Sequence, residues 1–145
     1  MIPIRNCAKA IIIKEGKILA VRYAGQSGEY YALPGGAKHH GETLLEALDR
    51  ECLEELGVTI KNLGLRFVRE YRWRDAEIHQ VEFLYECEIE GEDEPIGGTH
   101  HDYLQVGVEW LPIDQISAYR FYPKKLVEYL GKPLPGVIEY WGTAE

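Results

Sequence analysis

Apolar residues in this 145-residue chain change their spacing several times, and each spacing fits a different element. Residues 7–14 are apolar and β-branched, Glu15-Gly16 reads as a turn, and 17–23 resume in similar style. That predicts a hairpin whose first strand is largely buried. Residues 25–29 form a polar, glycine-bearing loop, and 30–33 are a short apolar segment ended by Pro34-Gly35-Gly36. From 43 to 56 the spacing is helical and stops at Gly57, a natural helix terminator. Residues 58–60 can start a strand, and 65–73 and 78–89 read as two more around 74–77. In the second of these, Val81, Phe83, Tyr85 and Cys87 share one side. Residues 90–103 form a long acidic, glycine-rich loop, and 106–111 a further strand. Asp114 is placed to cap a short helical turn, and 123–130 predict a helix with proline near its first turn. The tail is rich in Pro and Gly before an apolar stretch at 137–141, which is expected to cover the protein's own core. A homodimer formed through that stretch is the alternative. Strands dominate and one helix is strong, so the expected class is a mixed α/β or α+β fold in a single domain, 1–145.

Charge narrows the function classes. Sixteen basic against twenty-four acidic residues give a net charge of −8. Such a chain repels nucleic-acid backbones and gains from binding small cations. No nucleic-acid partner is therefore expected. No apolar run approaches the roughly 20 residues that span a membrane, and no signal peptide is visible. Cys7, Cys52 and Cys87 are odd in number, widely spaced and without CxxC pairing, so they read as reduced, buried thiols. A cytoplasmic protein without a membrane partner is expected.

The helix of 43–56 carries the most specific chemistry. On a helical wheel Leu44, Leu45, Leu48, Cys52 and Leu56 fill an arc of roughly 120°, the expected core face. Glu51, Glu54 and Glu55 fill an adjoining arc of roughly 100°. One turn separates Glu51 from Glu55, so the carboxylates converge. Glu55 borders the apolar face, and Ala47 lies in the acidic arc where a larger side chain would crowd the site. Converging carboxylates repel, and partial burial raises that cost. A hard divalent cation removes the conflict, because Mg²⁺ takes oxygen ligands and commonly bridges carboxylates to phosphates. A bare ExxEE pattern is more often a solvated acidic face, so the surroundings decide.

Those surroundings stand in a fixed frame: Gly36, Glu42, Arg50, Glu51, Glu54, Glu55 and Gly57, in the pattern G-x5-E-x7-R-E-C-x-E-E-x-G-V. Over residues 36–58 this resembles the Nudix box, with Cys52 in a position that is usually aliphatic. A chance match anywhere in the chain is on the order of 10⁻⁶. Leu33-Pro34-Gly35-Gly36 before the box and Glu109-Trp110-Leu111-Pro112 after it extend the resemblance.

The resemblance implies a Nudix fold, a mixed sheet sandwiched between helices, and a hydrolase acting on acid anhydrides. It implies a small-molecule nucleotide substrate, a nucleoside diphosphate linked to another group, and a Mg²⁺ cofactor that Mn²⁺ could replace. Glu51, Glu54, Glu55 and the Gly36 carbonyl are the implied metal ligands. Glu51, Glu54 and Arg50 are the implied catalytic set, with Arg50 orienting the glutamates and Glu42 reaching the arginine. The base that takes the water proton is Glu51 or a loop acid: Glu92, Asp93, Glu94 or Asp102. Arg22, Gly35 and His39 are expected at the substrate. A (d)NTP-type nucleotide is the expected substrate, since the chain begins at its first strand without the extra segment of typical ADP-ribose enzymes. ADP-ribose or another nucleotide sugar is the alternative, and a non-catalytic nucleotide sensor a minor one.

Other polar and aromatic groups are weaker signals. The pairs His39-His40 and His100-His101 invite a transition-metal site, and His39, His40 or His101 could contact phosphate, though loop histidines are commonly plain surface residues. Arg69, Arg72 and Arg74 could contact phosphate or ribose, or be surface charges. Tyr30, Tyr31, Tyr71, Trp73 and Tyr103 could stack on a base, but strand aromatics more often pack the sheet.

Overall fold

The computed structural model describes residues 3–73, 75, 77–96 and 105–145. Arg74, His100, His101, Asp102 and Tyr103 lie outside the described residues. The expected hairpin is present as β1 (Arg5–Lys14) and β2 (Lys17–Gly25), but the two strands pair only next to the turn, at Ile13↔Ile18 and Lys14↔Lys17. Beyond it they separate. β1 continues alongside β4 (Gly35–Ala37) and, in parallel, β6 (Ile78–Ile89). β2 pairs with β3 (Gly28–Ala32) and β7 (Gln105–Pro112). One mixed sheet therefore splays into two halves that share the β1–β2 turn. Across the split, Ala10 donates its amide to the Pro34 carbonyl at 2.9 Å.

β5 (Ile60–Trp73) pairs antiparallel with β6 along its full length. The segment expected at 65–73 begins earlier, at Ile60, so it runs on from the end of the stretch expected at 58–60, and register shifts at 62–64 and 65–67 absorb the irregular residues between them.

Both faces of β1 are buried. Ala8, Ala10 and Ile12 face α1 (Leu44–Leu56), where they meet Leu48, Cys52 and Leu56. On the other face Ile11 joins Phe67, Leu84, Leu111, Ile116, Phe121, Leu126 and Trp141. The helix begins at a capping box: Glu46 donates its amide to the Thr43 hydroxyl, and Thr43 donates its own to the Glu46 carboxylate. This satisfies two of the free amides at a helix start. Leu45, expected in the core arc, is 42% exposed, whereas Ala47 is fully buried. The core therefore lies against the acidic side of the predicted arc, and the wheel was rotated toward the wrong edge.

Among the described residues, the second face carries no α-helix. The helix expected at 123–130 is a 3₁₀ segment, Lys124–Tyr129, led by Pro123, and a similar segment, Ile113–Ala118, precedes it. Asp114 makes no capping bond. The Tyr122-Pro123 peptide bond is cis. Each segment inserts one apolar side chain, Ile116 or Leu126, which a single turn is enough to deliver.

Of the apolar stretch at 137–141, Trp141 closes onto the protein's own core, whereas Val137, Ile138 and Tyr140 are exposed. β9 (Glu139–Tyr140) pairs in parallel with β5, and Trp141 is buried with its ring 4.3 Å from Phe67 and 5.6 Å from Tyr129. Trp141→Ala should cost about 3 to 5 kcal/mol of unfolding free energy, the range for deleting a buried large ring. Urea denaturation of both proteins measures this, and a loss under about 1 kcal/mol would mean that the tail contributes little to the core.

Candidate functional site

The split in the sheet creates the site. Gly35 pairs with Lys9 across β4 and β1, and has φ +131. A Cβ there would lie 2.1 Å from the Ala8 carbonyl oxygen, so only glycine fits. A Cβ on Gly36 would lie 2.8 Å from the Glu51 carboxyl. The glycine pair thus lets backbone run directly against the acidic face of α1.

Three tiers of carboxylates follow from that approach. Glu55 is the deepest, at 3% exposure. It accepts the Gly35 amide at 2.7 Å and the Gln105 side-chain amide at 2.6 Å. Burial pushes its carboxyl up to about 7, against the opposing pull of Lys9 and the Gly35 hydrogen bond. Glu51 and Glu54 are half-buried, and one Arg50 nitrogen, Nη1, donates to both, at 3.0 and 3.3 Å. The rest of the guanidinium grips Glu42, at 2.7 and 3.0 Å, and the Ala37 carbonyl at 3.2 Å. Glu42 also accepts the His39 amide at 2.7 Å. A bidentate pair of this kind holds both partners in one orientation. The Arg50 pairing and the His39 amide bring the Glu42 carboxyl down to about 2.

Except for Glu42, these groups line a cavity of about 350 Å³ together with Arg5, Lys9, Tyr23 and Gln105. Small-ligand sites run from about 300 to 1,000 Å³. Of the residues expected from the sequence, Gly35, Gly36, His39, Arg50, Glu51, Glu54 and Glu55 come together here. Arg22 does not line the cavity: it is turned to Glu29 at 3.0 Å and Glu109 at 3.4 Å. Glu92 and Asp93 are exposed and away from it, and Glu94 lies with Lys14, Glu15 and Lys17 at the far turn of β1. Arg69 is committed to a buried pair with Glu82 at 2.7 Å. Tyr23 stacks on Tyr30 at 5.1 Å, and Tyr30 meets Tyr122 edge-on.

Lys9, Tyr23 and Gln105 were not anticipated. A lysine inside the apolar run CAKAIII was a legible signal, since a charge is rarely placed in a buried strand without use. Tyr23 and Gln105 reach the site by strand pairing, and nothing local marks them.

The sequence model of the NUDIX domain matches residues 4–131. The chain belongs to the Nudix family. As a Nudix hydrolase it acts on acid anhydrides. Solved structures share the fold. A NUDIX hydrolase from Nitrosomonas europaea has a TM-score of 0.72 at 20% identity, over 87% of this chain and 85% of that one. A MutT NUDIX hydrolase from Burkholderia pseudomallei has a TM-score of 0.68 at 23% identity, over 93% and 92%. An ADP-ribose pyrophosphatase from Streptococcus suis has a TM-score of 0.64 at 17% identity, over 96% and 100%. No curated protein matches the chain.

The oxygen-only donor set of the Nudix helix suits Mg²⁺. Among the described residues, no three acidic, histidine or cysteine side chains are gathered around one point. The reason is visible in the bonding: Arg50 draws Glu51 and Glu54 to one side, while Glu55 faces Gly35 and Gln105. Gly36 keeps the space beside Glu51 free of side chain, and Glu55 is a buried acid that a cation would favour in its ionised form.

The pairing of Glu42 with Arg50 has a pH signature. Its folded value, about 2, lies below the ordinary 4.5, so the stabilisation is complete above 4.5 and is lost as pH falls toward 2. Thermal unfolding of the wild type and Glu42→Gln should differ by a constant margin above about pH 5, and the margin should close by about pH 2. A margin that does not change with pH would show that the variant acts through packing instead.

Proposed function

We propose that this Nudix domain is a Mg²⁺-dependent pyrophosphohydrolase of a nucleoside diphosphate derivative, with a (d)NTP-type nucleotide as substrate. The observation that carries this reading is the gathering of Glu51, Glu54, Glu55 and both box glycines on one cavity large enough for a phosphorylated ligand. Glu51, Glu54 and Glu55, with the Gly36 carbonyl, would hold Mg²⁺ or, in its place, Mn²⁺. When bound, such a cation neutralises phosphate oxygens and activates water.

This chain's own residues do the rest. Arg50, fixed by Glu42, orients Glu51 and Glu54 by hydrogen bonds from one guanidinium nitrogen. Glu51 is the proposed base, because among the described candidates it alone lines the cavity. Gly35 and Gly36 admit phosphate close to backbone, and His39 stands at the rim, largely exposed.

A nucleotide sugar such as ADP-ribose is the second reading. It is favoured by the Streptococcus suis ADP-ribose pyrophosphatase, whose whole length is matched, so chain extent does not separate the two substrate classes. A panel of nucleoside triphosphates and nucleotide sugars with Mg²⁺, scored by product, decides between them. Pyrophosphate with a monophosphate marks the first class, and a sugar phosphate with a monophosphate the second. Glu54→Gln should lower turnover of the best substrate at least about 100-fold. Undiminished turnover would sink the mechanism, and no turnover of any compound by the wild type would favour a nucleotide sensor.

A further inference from the structure

Among the described residues, Lys9 is the one lysine lining the cavity. It projects from β1, beside Gly35 of β4, into the space that the box glutamates face. The cavity's other interior cation, Arg50, is fully engaged by Glu42, Glu51, Glu54 and the Ala37 carbonyl. Lys9 makes no hydrogen bond and no ion pair within 4.0 Å among the described residues, although Glu82 and Glu55 both act on its charge. Glu82 accepts hydrogen bonds from Arg69 and Gln80, so its oxygens are already engaged and it acts on the ammonium only through its charge. Lys9 is half-buried on the cavity wall, and its ammonium has donors to offer an oxyanion placed there. Arg5 lines the outer part of the cavity on the same side of β1, so that wall is basic where the helix wall is acidic.

We infer that Lys9 is a phosphate-binding residue of this site, donating to an oxygen of the substrate's diphosphate from the wall opposite the glutamate helix. Arg22, expected in this role, is held by Glu29 and Glu109 outside the cavity, which leaves Lys9 to take it. The inference rests on the proposed hydrolysis, but it can be tested separately. The probe is inorganic pyrophosphate, titrated in EDTA into protein carrying ¹⁵N-labelled lysine.

In the wild type the Lys9 side-chain nitrogen should shift with saturation. Lys9→Met should bind pyrophosphate at least about tenfold more weakly, and Lys9→Arg within about threefold of the wild type. With the best substrate from the panel, Lys9→Met should raise KM about tenfold while lowering kcat less than threefold. An unperturbed Lys9 nitrogen overturns the inference without needing any variant, should Lys9→Met not fold. Equal weakening by Lys9→Arg and Lys9→Met also overturns it, because the lysine would then be serving its neighbours. If the wild type turns over nucleotides yet Lys9→Met keeps pyrophosphate affinity and KM, the inference falls and the hydrolase reading stands. If the wild type turns over nothing while pyrophosphate still binds through Lys9, the hydrolase reading falls and the anion site stands.

Discussion

A carboxylate taken out of water at the point where the sheet divides is the constraint around which this molecule is arranged. Glu55 projects from the core side of α1, and its position is accepted because the Gly35 amide and the Gln105 side chain both donate to it. One of those donors comes from β4 and the other from β7, which belong to opposite halves of the splayed sheet. The same acid therefore ties the helix to both halves. A side chain at Gly35 would collide with β1, and without that glycine the amide could not reach the helix.

The splay itself has a simple origin. β1 and β2 pair for two residues only, and each then takes different partners. The open wedge is lined on one side by the acidic helix face and on the other by Arg5 and Lys9. Opposed charges across a partly enclosed space attract each other more strongly than they would in water. A phosphorylated ligand with its cation carries both signs, and so complements both walls.

Arg50 shows how the charge inside that wedge is kept in order. Two of its four acidic contacts are to Glu51 and Glu54 on the helix, and the other two, its firmest grip, are to Glu42, before the helix begins. Glu42 is in turn fixed by the His39 amide. The acids that face the cavity are therefore positioned by an acid that does not line it. This explains why a residue eight positions from the arginine belongs to the same constellation.

Local pattern was enough to read the β1–β2 hairpin, the strands β5, β6 and β7, the helix ending at Gly57, and the group of Gly36, Arg50, Glu51, Glu54 and Glu55, because their spacing acts within one turn and one helix; it placed a loop over the start of β3 and a turn over β4. It misjudged Leu45 and the helix expected at 123–130, where neighbours outside the segment decide exposure and a 3₁₀ turn suffices to bury Leu126. Arg22 was read as a substrate ligand from its place after a strand, but cross-strand acids claimed it. Lys9, Tyr23 and Gln105 entered the site through pairing between strands far apart in the chain. The sequence by itself determined the acidic face of the box and the helix that presents it, since periodicity is local. Only the tertiary structure decided which distant side chains face that helix, because strand register and the divergence of the two half-sheets are set by long-range pairing.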